Sequence, residues 1–120
     1  MNQKNEIVLY QPDNTTQLEV RVDNETVWLT QAQIALLFGV DRTVISKHLK
    51  NIFNSGELFE NSTCAKIAHV GNDDKQLYRT KYYSLDAILS VGYRVNSINA
   101  THFRQWATRI LKDYLLKNKD

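Results

Sequence analysis

The chain has 120 residues, 42% of them apolar and 23% charged, with a formal net charge of +2. These values fit one globular domain with its own core and exclude two large independent domains. No apolar run approaches the length of a membrane span, and the N-terminus M-N-Q-K-N-E-I-V-L-Y lacks a signal-peptide pattern, so the expected compartment is the cytoplasm.

Charge is unevenly distributed. Residues 1–40 carry a balance of −3, residues 41–83 of +2 and residues 84–120 of +3. An acidic beginning followed by a basic remainder suits a polyanion held on one face, although solvated surface charge has the same composition. The single cysteine, Cys64, excludes an internal disulfide and a cysteine metal cluster.

Residues 1–5 are polar. Residues 6–10, E-I-V-L-Y, are rich in β-formers, and Pro12, Asp13 and Asn14 carry turn chemistry. Residues 17–23 alternate: Leu18, Val20 and Val22 point one way, Glu19 and Arg21 the other, as in a half-buried strand. After a turn at Asp23, Asn24 and Glu25, residues 26–29 form a third short strand. Residues 1–29 thus read as a small antiparallel β-meander, with Trp28 expected in the core.

Residues 30–55 carry the strongest pattern. In residues 31–38 the apolar Ile34, Ala35 and Phe38 share one helical face, with Thr30 as N-cap and Gly39 as the left-handed stop. Asp41 caps a second helix over residues 42–54. A helix-turn-helix needs a small residue where its helices cross, a glycine at the turn, an apolar residue behind it and an aliphatic lock on the second helix. Ala35, Gly39, Val40 and Ile45 with Leu49 fill those positions. With Val44, Ile45 and Leu49 directed inward, the outer face of the second helix is Arg42, Thr43, Ser46, Lys47 and Lys50, flanked by His48 and Asn51. Arg can pair with the acceptors of guanine, Thr and Ser with base edges or phosphates, and Lys with phosphates. The same unit used only for packing or protein docking is the competing reading.

Asn54, Ser55 and Gly56 stop this helix, and Leu58 and Phe59 are expected to fold back onto the core. Residues 62–70 and 75–83 read as two strands around the turn Gly71-Asn72-Asp73-Asp74. A hairpin directly after a recognition helix is a wing. Lys66, Arg79 and Lys81 along its strands suit phosphates, whereas Asp73 and Asp74 at its tip would repel them. Ser84 caps a further helix with Asp86 in its first turn and an apolar stripe of Ala87, Ile88, Val91 and Val95, and Gly92 permits close packing. The pattern breaks at residues 96–99. Residues 100–116 then form the longest helix, with Phe103, Trp106, Ala107, Ile110, Leu111, Tyr114 and Leu115 as a continuous stripe. Phe103 and Trp106 are expected in the core. Ile110, Tyr114 and Leu115 are candidates for a homodimer contact, which would set two recognition helices about 34 Å apart on DNA.

No catalytic constellation stands out. His48, His69 and His102 fall in different predicted elements without metal-ligand spacing, and the four glycines form no phosphate loop. Tyr82, Tyr83, Tyr93 and Tyr114 have no recognisable Arg and His cluster that would make one of them a strand-transfer nucleophile. The expectation is a non-enzymatic chain with no metal and no cofactor.

Two segments carry a resemblance: W-L-T-Q-A-Q-I-A-L-L-F-G-V-D-R-T-V-I-S-K-H-L-K-N-I at 28–52 and Y-S-L-D-A-I-L-S-V-G-Y-R-V-N-S-I-N-A-T-H-F-R-Q-W-A-T-R-I-L-K-D-Y-L at 83–115. Both resemble the RhuM-like virulence-associated proteins of bacteria, and the second is distantly similar to the F-R-x-W helix of phage antirepressor-type domains. The resemblance implies a bacterial or phage-derived DNA-binding module at the N-terminal end of a longer protein. It supplies no catalytic residues.

The sequence therefore predicts an α+β chain: a winged helix-turn-helix over 1–120, with the β-meander at 1–29, the helix-turn-helix at 30–55, the wing hairpin at 62–83 and the C-terminal helices at 84–120. The expected function is sequence-specific binding of double-stranded DNA by a transcriptional regulator. The alternative is an antirepressor-like protein-interaction module that uses the helix-turn-helix as scaffold. A recombinase or nuclease fragment, whose active site would lie in residues outside this chain, is a third reading.

Overall fold

Strand alternation builds a sheet with one apolar face, and the helices cover that face. A computed structural model describes residues 6–11, 18–23, 26–70, 77–95 and 97–117, with backbone alone at 6, 23, 67–70, 77 and 114–117. The elements are β1 (Glu6–Tyr10), β2 (Leu18–Asp23), β3 (Thr26–Thr30), α1 (Gln31–Phe38), α2 (Arg42–Asn54), α3 (Glu60–Thr63), β4 (Cys64–Val70), β5 (Leu77–Ser84), α4 (Leu85–Arg94) and α5 (Ile98–Lys117). The architecture is α+β.

All five strands join one antiparallel sheet in the order β1-β2-β3-β5-β4. The meander and the hairpin are thus continuous. They meet where Trp28, Leu29 and Thr30 pair with Ser84, Tyr83 and Tyr82. Val20, Val22, Val27 and Leu29 face the helices and are fully buried, together with Ile34, Ile45, Ile52, Ile88, Val91 and Phe103. Each such side chain contributes about 1.5–3 kcal/mol relative to exposure. The meeting of α5 with β1 is aromatic: Tyr10 stands edge-on to Phe103 at 5.3 Å and lies 4.8 Å from Trp106.

The α1–α2 pair follows local chemistry closely. The Thr30 hydroxyl accepts from the Gln33 amide at 3.2 Å, and the Gln33 side chain accepts from the Thr30 amide at 2.8 Å, closing a capping box. Gly39 ends α1 at φ 68°, ψ 34°, the left-handed region that glycine enters without steric cost. Val40 donates back to the Ala35 carbonyl at 3.1 Å, tightening the turn. Ile45, Leu49 and Ile52, spaced by four and three residues, are the side of α2 that is buried.

Several expectations are corrected. Trp28 is half-buried on the opposite face of the sheet, because alternation along β3 sends Val27 and Leu29 inward. Val44 is 36% exposed, since the inward stripe of α2 is set by Ile45, Leu49 and Ile52. Leu58 packs on the core as expected, but Phe59 is 71% exposed. Residues 60–63 turn once as α3 before the first hairpin strand, with the Thr63 hydroxyl donating to the Phe59 carbonyl at 2.8 Å. Asp41 and Ser84 hold the N-cap positions of α2 and α4 without bonding the helix amides through their side chains. The last helix starts at Ile98, two residues earlier than its apolar stripe suggests. Ile110 packs on the domain's own core, while the side chains of Tyr114 and Leu115 and the hairpin tip at 71–76 lie outside the described residues. Among the described residues no helix is long and apolar enough to cross a membrane.

Candidate functional site

The exposed side of α2 is built by default from what its buried stripe leaves over. Arg42, Thr43, Lys47 and Lys50 are exposed and Ser46 is half-buried, so all five expected residues lie on the outward side. The start of the helix is pinned. The Gln31 side chain donates to the Arg42 carbonyl at 3.2 Å, bridging the first turns of α1 and α2. The Thr43 hydroxyl donates to the Asp41 carboxylate at 3.4 Å. His48 is half-buried, and its Nδ1 is buried without a hydrogen-bond partner.

The far end of α2 is held against the hairpin. Phe53 stacks on Tyr83 with ring centroids 6.4 Å apart and an 18° interplanar angle. Burial pushes the Tyr83 hydroxyl above its ordinary pKa. Between α2 and β5 an open cleft of about 290 Å³ is lined by Gln31, Ser46, Lys50, Asn54, Glu60 and Lys81 above a floor of Leu49, Phe53 and Tyr83. The stack sets the spacing of its two walls, and Ser46 and Lys50 face Lys81 across it.

Register fixes the hairpin cations. Lys66 pairs with Lys81 and Ala68 with Arg79, so Lys66, Arg79 and Lys81 project from the sheet face that also carries buried Tyr83. That is the face on which α2 lies. Lys66 and Arg79 are exposed. Lys81 is engaged: its ammonium donates to the Glu60 carboxylate at 2.5 Å and lies 5.9 Å from the centre of the Tyr83 ring. The bond to Glu60 is the first cause of a pKa raised above the usual lysine value. Sequence reasoning missed Glu60, Gln31 and Asn54. Glu60 reaches Lys81 only through a one-turn helix that resembles the start of a strand, and no local spacing announces the pair.

Cys64, cross-strand from Tyr83, is half-buried, and burial raises its thiol pKa above the usual value. A raised pKa keeps the thiol protonated and a poor nucleophile. Among the described residues no group of three His, Cys, Asp or Glu side chains could hold a metal ion.

On the opposite face, Ile7 and Leu9 are each 52% exposed beside Arg21 and Glu19. The Arg21 guanidinium sits 5.2 Å from the centre of the Tyr82 ring.

No curated protein and no solved structure matches the chain. A family model does match, over residues 62–119, from the last turn of α3 through the hairpin and α4 into the end of the chain. The α1–α2 pair precedes that segment. Over this C-terminal segment, just under half of its length, the chain is similar to the Virulence protein RhuM family.

Proposed function

We propose that the chain is a winged helix-turn-helix domain that binds duplex DNA as a transcriptional regulator. In this reading α1 supports, α2 enters the major groove and β4–β5 is the wing. Arg42, Thr43, Ser46 and Lys47 read the groove, while Lys50, Lys66, Arg79 and Lys81 meet phosphates. The observation that carries the reading is the shared side. Lys50 of α2 and Lys81 of the hairpin line one cleft, Lys66 and Arg79 project from the same sheet face as Lys81, and α2 is anchored to β5 by Phe53 on Tyr83. Its role is binding rather than catalysis.

Titration of a duplex with rising salt tests it. Each neutralised phosphate contributes a slope of about −0.9 in log K against log salt, so a helix and wing that meet several phosphates must lose affinity steeply. Flat salt dependence, or no binding at low salt, removes the reading. Arg42→Ala should cost about 1–3 kcal/mol on a selected site if Arg42 pairs with a base, and an equal loss on every sequence would demote it to a phosphate contact.

A second reading has its own support. Exposed Ile7 and Leu9 on the uncovered sheet face suit a protein partner. Lys47→Glu combined with Lys50→Glu separates the two, because a protein-docking function survives that charge reversal and a DNA-binding one does not.

A further inference from the structure

The geometry points to Glu60 as a built-in competitor for DNA. Its carboxylate occupies the seat of one backbone phosphate between α2 and β5, so that Lys81 meets DNA only once Glu60 is displaced. The inference rests on the DNA-binding reading above and adds a competitor within that site.

The lining of the cleft carries it. Lys50 and Lys81 supply ammonium donors, Ser46 a hydroxyl and Gln31 and Asn54 amides, and Glu60 is the one carboxylate among the described residues that line it. Without Glu60 the polar lining is a set of donors with two positive charges, which is the chemistry of an oxyanion site. The carboxylate present there is bonded to the lysine that β5 contributes. It is also loosely held. Side-chain exposures of 36% for Lys81 and 51% for Glu60 leave the pair in contact with water, where such pairs exchange partners at little cost. Glu60 belongs to a one-turn helix secured by the Ser62 and Thr63 hydroxyls on the Phe59 carbonyl, so its side chain can leave without unfolding the hairpin. Lys81 stays charged throughout: the bond to Glu60 raises its pKa, and a phosphate in the same seat favours the ammonium form in the same way. The exchange is therefore one anion for another on the same ammonium.

The test is fluorescence anisotropy of the full chain against a labelled duplex, at about 50 and 200 mM salt, with Glu60→Gln, Lys81→Ala and the double variant. Glu60→Gln should bind about 3- to 10-fold tighter at the lower salt, and its affinity should then fall about 3-fold more than that of the unaltered chain, the share of one further phosphate. Lys81→Ala should weaken the unaltered chain only slightly, yet abolish the whole gain of Glu60→Gln. If the two effects simply add, Glu60 acts through general electrostatics and the inference fails. If Glu60→Gln changes nothing while Arg42→Ala still weakens binding, the inference fails and the DNA-binding reading stands. If no variant binds duplex at low salt, both fall. Glu60→Ala, judged by the same coupling to Lys81, replaces Glu60→Gln should the latter lose its thermal unfolding transition.

Discussion

The α1–α2 and α4–α5 pairs are each two helices on a short connection, yet they close for different reasons. In the first, Gly39 sits at φ 68°, and a Cβ built there would meet nothing within 4 Å. The glycine is required by backbone conformation alone. In the second, a Cβ on Gly92 would stand 2.4 Å from the Ala100 Cβ and 3.1 Å from the Phe38 ring. That glycine is required by close approach. Asn99 ties the pairs together by donating to the Leu37 carbonyl at 3.2 Å. A conformational turn lets α2 stand with one side free, whereas a packed crossing consumes the surfaces it joins. Of its 13 residues α2 accordingly buries Ile45, Leu49 and Ile52, whereas α4 buries Ala87, Ile88, Val91 and Gly92 of its 10.

The comparison breaks most sharply at Gly92. Gly92→Ala should destabilise by about 1–3 kcal/mol in chemical denaturation, the range for overpacking. Ala100→Gly added to it should restore part of the loss, because it removes the atom that is struck. Gly39→Ala should cost about 1–2 kcal/mol from the left-handed conformation alone, with Asn at that position recovering some of it. No second-site truncation should help there, and a partner that did rescue it would show the two glycines to be alike.

The caps sharpen the contrast further. Thr30→Ala removes a capping box and should cost about 1 kcal/mol in thermal or denaturant melts. Ser84→Ala should be close to neutral, since the Ser84 hydroxyl is buried without a hydrogen-bond partner. The smallest effect belongs to Glu57, bonded to Arg94 at 2.7 Å beside the end of α4. The Arg94 hydrogen bond, then that of Ser90, holds its carboxyl below the usual glutamate pKa. A depressed folded-state pKa contributes stability above the unfolded value, and that contribution disappears as pH falls through the folded one. The stability difference between the unaltered chain and Glu57→Gln should therefore be present at neutral pH and close in acid; a difference that widens in acid contradicts the pair.

Local chemistry made the α1–α2 unit legible. Ala35, Gly39, Ile45 and Leu49 each act within a few residues of one another, and the bounds 31–38 and 42–54 follow from them. The strands of the meander were readable for the same reason. Trp28 departs from the expected core position although the signal is present in the sequence: period-two alternation that buries Val27 and Leu29 must turn Trp28 away, and the size of an indole says nothing about which face it takes. The β3–β5 pairing and the Glu60–Lys81 bond were out of reach, since each joins residues distant in sequence whose meeting depends on how the whole sheet closes. The five outward residues of α2 are legible from its sequence; the carboxylate that shares a cleft with two of them, Ser46 and Lys50, is not.

The β3–β5 ladder also bears on folding order. The α1–α2 unit, α3 and β4 all lie between two strands that are neighbours in the sheet. Helices can form early from near-sequence contacts, but that ladder must close a long loop first, and such closures slow folding. A nascent chain that has emerged only through α2 holds the outward cations in their final order along the helix, but lacks β5 and the Tyr83 ring on which Phe53 rests. Completion of the sheet would then be the step at which α2 gains its fixed bearing.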